Sequence, residues 1–315
     1  MSATIVVSGA AVLVPGADSA RALAAGPESG AAAVDPAAIV GKKGLRYKDR
    51  ATQLGYALAA RALADAGLVG EEGTTVPASS IGVVASSNYG NLDTVTRALD
   101  TIREETVNGT SPMDLPNASS NVIASSVAIR FGLRGPNLMV CNGPTSGLDA
   151  VHWAITMIQA GRVDRVLVLG VEPDNEVVRK LTGGRPSVDG GAAIVVERAE
   201  AVQERSGTVK AVLGGYVRTA AVRDVLDRLA ASGQPARWEV PGGAAAALDA
   251  ELLPGVPRVG LPESAGEPSG ALGVLQCAAA VGWFEDGGAG AVYALAGGES
   301  ADASAGLVLL APGAA

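Results

Sequence analysis

The stretch GPNLMVCNGPTSGLDAVHWA, Gly135–Ala154, reads as a strand, a sharp turn and a helix. In that layout a nucleophile can sit at a helix N-terminus, where unpaired backbone N–H groups and the helix dipole favour negative charge. At the apex stands Pro144, and the only nearby thiol, Cys141, comes three residues early. Proline is comfortable at the first position of a helix, because its fixed φ suits the turn and its missing N–H was unpaired anyway. A strand sends successive side chains to opposite faces, so Cys141 cannot carry its sulfur to the turn. Cys141 therefore reads as a small core or interface residue, and Cys277, inside an apolar helical run, as packing.

Outward from this stretch, short β-branched runs alternate with longer Ala/Leu/Arg-rich runs, the pattern of a layered α/β fold with a buried sheet. Strands are predicted over Thr4–Val7, Ile81–Ala85, Leu138–Val140, Val166–Leu169, Ala192–Val196, Val209–Leu213, Ala291–Leu295 and Gly306–Leu310. The clearest helix is ATQLGYALAARALADAGL, in which Leu54, Leu58, Ala62 and Leu63 recur at helical spacing and Gly67 is a stop signal. Others run from Asp93 to Glu105 with a cap in the Asn91/Asp93 region, from Ser146 to Ala160, and from Ser269 to Phe284. The last two each follow a strand and a small-residue turn, which points to two similar halves, 1–200 and a shortened 201–315, forming one compact unit. From Glu200 to Gly260 the chain turns Ala/Gly-rich with little alternation, and a loosely specified segment is expected there.

The chain has 315 residues, 48% of them hydrophobic and 18% charged, enough to bury a large core. A net charge of −8, no Lys/Arg-rich run and only 3% aromatic residues argue against nucleic acid or an anionic membrane as partner. Two cysteines provide neither a disulfide framework nor a zinc cluster, and they fit a reducing cytoplasm. The glycine pairs Gly183-Gly184 and Gly242-Gly243 lack phosphate-loop spacing and a lysine, so no nucleotide, metal or other cofactor is expected.

Three pieces, LPNASSNVIASSVAIRFGLRGPN (Leu115–Asn137), GPTSGLDAVHWAITMIQAGRVDRVLVLGVE (Gly143–Glu172) and GGAAIVVERAEAV (Gly190–Val202), together resemble the β-ketoacyl synthases of the thiolase superfamily. The likeness is closest to the condensing enzymes of fatty acid and type II polyketide synthesis. RYKDRATQLGYALAARALADAGL (Arg46–Leu68) and SSNYGNLDTVTRALDTI (Ser86–Ile102) extend it towards the N-terminus, and SGALGVLQCAAAV (Ser269–Val281) is a shorter echo. The resemblance implies a duplicated five-layer α/β/α/β/α fold, here with a reduced C-terminal half. It also implies a dimer made by pairing edge strands, in this chain Asn137, Leu138, Met139 and Val140. Further implications are an acyl chain delivered by acyl carrier protein, a cysteine nucleophile on the turn, and two histidines that assist decarboxylation of a malonyl unit.

This chain departs from that pattern at the groups that do the chemistry. Where the family turn reads Gly-Cys-Thr-Ser-Gly-Leu-Asp-Ala, the chain has Gly143-Pro144-Thr145-Ser146-Gly147-Leu148-Asp149-Ala150, so Pro144 takes the nucleophile's seat. The family's first histidine loop falls on Trp238-Glu239-Val240-Pro241-Gly242-Gly243, with Pro241 at the histidine. Its Lys…Gly-His motif falls on Val259 to Ser264, with Val259 at the lysine and Ser264 at the second histidine. The phenylalanine gate near the C-terminus is replaced by ESADASAGLVLL (Glu299–Leu310). The one histidine, His152, lies two turns past the elbow and reads as a partly buried or interface residue beside Trp153. Thr145 and Ser146 have no histidine base and would be poor nucleophiles.

Three functional expectations follow, the last being a homodimeric relic that binds a small hydrophobic ligand and needs only the tunnel and the dimer strand. One is a catalytically silent subunit of a polyketide or fatty-acid-type pathway, a chain-length-factor-like partner of an active ketosynthase or a binder of acyl carrier protein. Asn142, Pro144, Thr145, Glu263 and Ser264 are then the candidates for lining an acyl tunnel, and Arg46/Arg50 or Arg130/Arg134 the basic patches for an acidic carrier. The alternative is altered acyl chemistry in the old tunnel, namely acyl transfer, hydrolysis or dehydration. It would use Ser264, Glu263 or Asp149, although an acid and a hydroxyl at a helix start read first as caps.

Overall fold

The computed structural model describes residues 3–112, 114–240, 252–298 and 302–313. Pro241, Gly242-Gly243 and positions 299–301 of the replaced gate lie outside the described residues.

Ten strands carry the architecture. β1 (Ile5–Leu13), β2 (Ile81–Ser86), β3 (Asn137–Val140), β4 (Arg165–Glu172) and β5 (Gly190–Arg198) are followed by β6 (Ala211–Thr219), β7 (Arg237–Glu239), β8 (Arg258–Val259), β9 (Ala291–Ala296) and β10 (Ser304–Leu310). Their order in the sheet is β8-β7-β9-β10-β6-β1-β5-β4-β2-β3. In each half the second strand lies parallel between the third and the fourth, the fifth is antiparallel to the fourth, and the first is antiparallel to the fifth. The two halves thus share one topology without sharing a sequence. They meet where β1 pairs with β6 over Ile5, Val6 and Val7. β7 and β8 are the shortest members.

The layers follow from side chains alternating along each strand. In β4, Val166 and Val168 face a central core that also takes Val292 and Ala294 of β9 and Leu307 and Leu309 of β10. That core holds α4 (Ser146–Gln159) and α6 (Leu272–Glu285), the buried helix pair between the sheets. Leu167 and Leu169 face the other way, against α1 (Arg50–Asp65) and α3 (Val122–Phe131). On the far side of the second half, α5 (Val222–Leu229) covers Trp238, Tyr293 and Val308. Helices, sheet, helices, sheet and helix make the five layers of the thiolase-like fold.

The apolar helical spacing of α1 is realised: Leu54, Leu58, Ala62 and Leu63 are fully buried, and the chain leaves the helix at Ala66 before a left-handed Gly67. Several expectations change. β1 runs on from Val7 to Leu13, because a bulge at Ser8 lets the strand keep its pairing with β5. The helix expected from Ser269 starts as a tight 3-10 turn, Ser269–Ala271, and is α-helical only from Leu272. α2 (Leu92–Glu105) begins after Asn91, but no side chain caps it, since the Asn91 amide donates instead to the carbonyls of Asn117 and Ser119. The segment after Glu200, expected to be loosely specified, contains β6, α5 and β7; the strongly amphipathic VRDVLDRL buries Val222, Val225, Leu226 and Leu229. Among the described residues no helix is long and apolar enough to cross a membrane.

Candidate functional site

The elbow between β3 and α4 is a 3-10 turn over Gly143–Thr145 with Pro144 at its start, exposed at the surface. Gly143 has φ +81°, a conformation that a residue with a Cβ rarely adopts, so the tight turn depends on glycine there. Its shape is held by Asn88, in the loop after β2. The Gly143 N–H and the Ser146 hydroxyl both reach Asn88 Oδ1, at 3.2 and 3.0 Å. The Asn88 Nδ2 donates to Gly143 O at 3.0 Å and to Ser269 Oγ, on the turn before α6, at 2.8 Å. One amide therefore couples the elbow of the first half to the matching turn of the second.

Ser146 is fully buried. Its Oγ accepts from the Asn142 N–H at 2.8 Å and lies 2.7 Å from Gly143 O and 2.9 Å from Asn142 Oδ1. A hydroxyl so engaged, with no imidazole on it, is not an activated nucleophile. Thr145 is likewise buried and donates to Asp149 Oδ2 at 2.8 Å. Asp149 also accepts from Asn142 Nδ2 at 2.5 Å and from the Tyr216 hydroxyl of β6, with Arg218 Nε at 3.5 Å. Burial, together with Asp149, pushes the Tyr216 hydroxyl well above its ordinary pKa. Asp149 is thus a saturated acceptor that fastens the start of α4 to the second half.

His152 is an exposed residue of α4 rather than a partly buried one, and its ring stacks on Tyr216 with centroids 4.2 Å apart and planes 13° from parallel. Desolvation lowers its pKa against the opposing pull of Asp149. Trp153 beside it is 48% exposed. Cys141 is not a core residue, because it lies past the end of β3 with an exposed side chain, its Sγ 3.9 Å from Asn88 O. Burial and the nearby Glu172 push its thiol up, the wrong direction for a nucleophile. Cys277 is fully buried, and burial pushes its thiol up to about 12, so packing is its role.

Beneath the elbow sits Glu172, at the end of β4, with no exposed surface. Its carboxylate accepts from Ser87 Oγ at 2.8 Å and from the backbone N–H groups of Asn88, Tyr89 and Gly270 at 2.7, 3.1 and 2.8 Å. Burial outweighs these four donors and raises its pKa to about 7. In the second half, Glu239 is similarly buried. It pairs with Arg237 Nε at 2.5 Å, and burial pushes its carboxyl up to about 7.

The structure brings Asn142, Pro144 and Thr145 together with Asn88, Asp149 and Tyr216. Glu263 and Ser264 both lie exposed on a separate turn, Glu263–Ala265, and neither side chain caps it. The expected cap reading fails because that turn is preceded by Pro262 and α6 starts later, at Leu272. From the second half, Ser269 accepts from Asn88, Gly270 donates to Glu172 and Tyr216 donates to Asp149. Two of the basic candidates are also committed: Arg50 makes a two-pronged pair with Asp189, and Arg130 lies over the Tyr56 ring and donates to Val40 O. Asn88 and Glu172 carry no mark of their role in the sequence, although both fall inside the SSNYGN and VLVLGVE stretches, because strand endings have no spacing signal for a hydrogen-bond hub. Tyr216 and Arg218 have no signal at all. Among the described residues, no cluster of His, Cys, Asp or Glu is placed to hold a metal.

A buried helix pair between two matched half-sheets, with a glycine-dependent elbow on one helix, is the layout of the thiolase-like fold. The family model described as beta-ketoacyl synthase, N-terminal domain, matches residues 18–178, and the chain belongs to that family. The granaticin polyketide putative beta-ketoacyl synthase 1 of Streptomyces violaceoruber is 32% identical over 203 residues, 55% of this chain and 48% of that protein. The chain spans about half the length of the curated relatives it matches, or less, 3-oxoacyl-[acyl-carrier-protein] synthases among them. Among solved structures, a type II polyketide synthase acyl-carrier protein in complex with its ketosynthase superimposes with TM-score 0.82 at 15% identity, over 99% of this chain and 100% of that one. The ishigamide ketosynthase/chain length factor gives 0.77 at 22% identity, over 98% and 99%. At these identities the likeness is one of fold.

Proposed function

We propose that this chain is a non-condensing subunit of a type II polyketide or fatty-acid-type pathway, which works by pairing with an active ketosynthase in the manner of a chain length factor, or by binding an acyl carrier protein. One observation carries the reading: the elbow held by Gly143, Asn88 and Ser146 carries Pro144, at the position to which the family resemblance assigns the nucleophile. A scaffold kept without its reacting group points to a use for the scaffold itself. Condensation draws on a thiolate and on imidazoles that donate to developing oxyanions, and here the thiols are Cys141 and Cys277 and the one imidazole lies outward on Tyr216.

β3 supports pairing. It is the outermost strand on the first-half side of the sheet, and its Leu138 is exposed. An edge strand with open N–H and C=O groups is a template for a second chain. The reading of altered acyl chemistry has less support, since Glu263 and Ser264 are exposed on their own turn and Asp149 is saturated by its donors.

The test is co-expression with a type II ketosynthase and its acyl carrier protein, followed by size-exclusion chromatography. A complex containing the ketosynthase or the carrier is expected. A chain that elutes as a homodimer and binds neither overturns the proposal.

A further inference from the structure

We propose that Glu172 is a proton-dependent clamp that joins the two halves of the molecule beneath the elbow and sets the elbow's geometry through Asn88. This stands apart from the proposed pairing role and does not depend on it.

The geometry is that of one carboxylate shared by three separate segments. Glu172 ends β4, three of its donors come from Ser87, Asn88 and Tyr89 after β2, and the fourth is the Gly270 N–H on the turn that opens α6. The space around it is tight, since a Cβ on Gly270 would fall 2.8 Å from Glu172 Oε1 and 2.9 Å from Asn88 N. The connection to the elbow is direct. The Asn88 whose backbone N–H is held by Glu172 is the residue whose side chain binds both Gly143 and Ser269.

All four partners are donors, and none carries a charge. The hydrogen bonds favour the carboxylate, which offers lone pairs to every donor, while burial favours the neutral acid, which must turn one oxygen into an O–H donor. Of the four partners only Ser87 Oγ can accept that proton, and it already accepts from the Gly90 N–H at 2.8 Å. Protonation therefore leaves backbone N–H groups of the loop or of the Gly270 turn with a weaker acceptor, and the segment carrying Asn88 relaxes. The groups around Glu172 do not supply a counter-charge. Cys141, beyond β3, has its thiol pushed up by Glu172, and Glu267, before the Gly270 turn, accepts from the Ser269 N–H. Asp189, just before the β5 residue paired with Glu172, is already bound to Arg50. Burial raises the Glu172 pKa to about 7, which puts the change of state in the neutral range.

The experiment is a pH titration of backbone amide resonances by NMR on the full chain labelled with 15N. In the wild-type protein the amide protons of Asn88, Tyr89 and Gly270 are expected to shift together with one midpoint near neutral pH. The Gly143 amide, which donates to the Asn88 side chain, follows with the same midpoint. Glu172→Gln abolishes all four titrations. Asn88→Ala keeps the Tyr89 and Gly270 titrations and loses that of Gly143. Absence of a common titration in the wild type, its survival in Glu172→Gln, or a Gly143 amide that does not follow overturns the proposal. The wild-type titration decides the matter even if a variant fails to fold.

Discussion

Gly147 and Gly273, the second residues of the two buried helices, lie against each other at the centre of the molecule. A Cβ on Gly147 would fall 2.6 Å from Gly273 N, and one on Gly273 would fall 2.3 Å from Leu148 N. Both contacts are with backbone, which no rotamer change can relieve.

Gly147→Ala and Gly273→Ala are therefore expected to destabilise the fold, although alanine is the better helix former. The propensity gain is about 1 kcal/mol, and the strain of forcing two packed helices apart is about 3 kcal/mol. Urea denaturation of each variant measures the difference, and a variant as stable as the wild type would refute the close helix contact.

A thiol placed on the elbow should be reactive but should not support condensation. In Pro144→Cys the new thiol stands where the N–H groups at the start of α4 favour a thiolate, so it should alkylate faster than Cys141, whose thiol is pushed up by burial and by Glu172. With no imidazole at the elbow, no carbon–carbon bond should form from acyl and malonyl carrier substrates. Peptide mass spectrometry after iodoacetamide, and product analysis with carrier substrates, check the two halves of this expectation.

The two native thiols should separate by exposure. Cys141 is exposed and Cys277 fully buried, so a thiol reagent such as DTNB is expected to label Cys141 in the folded chain and Cys277 only on unfolding. Two rapidly reacting thiols under native conditions would contradict the position of α6.

Stability should fall as pH rises through the weakly acid range. The folded pKa of Glu172 is raised from 4.5 to about 7, so between those values the folded chain holds a proton that the unfolded chain has released. Its contribution is full below the unfolded pKa, declines as pH rises to about 7, and is absent above it. A tenfold change in a protonation equilibrium is worth roughly 1.4 kcal/mol, so the loss between about pH 5 and 7 is on the order of 2–3 kcal/mol. Glu239, also raised to about 7, acts in the same direction. Denaturation midpoints across this range should show a shallower slope in Glu172→Gln than in the wild type, and equal slopes would count against the buried carboxylate.

The elements legible in the sequence are those whose evidence is local. The helical spacing of Leu54, Leu58 and Ala62, the β-branched core of β4 and β5, and the turn at Gly143 all depend on neighbours within a few residues, and they appear where expected. The amphipathic VRDVLDRL is masked by surroundings rich in alanine and glycine, although its own spacing marks a helix. The tunnel candidates Glu263 and Ser264 rest on motif order, which carries no local signal, and the structure shows them exposed on a turn of their own.

Residue identity is a covalent fact, so the amino-acid order alone determined that the turn carries Pro144 and that His152 is the sole imidazole. What those positions face was decided by the folded chain. Asn88 meets Gly143 across 55 positions and Ser269 across 181, and Glu172 meets Gly270 across 98. Hydrogen bonds of that span leave no periodic trace in the chain, because each depends on two half-sheets closing over one helix pair, and only that closure brings the donors to the buried carboxylate.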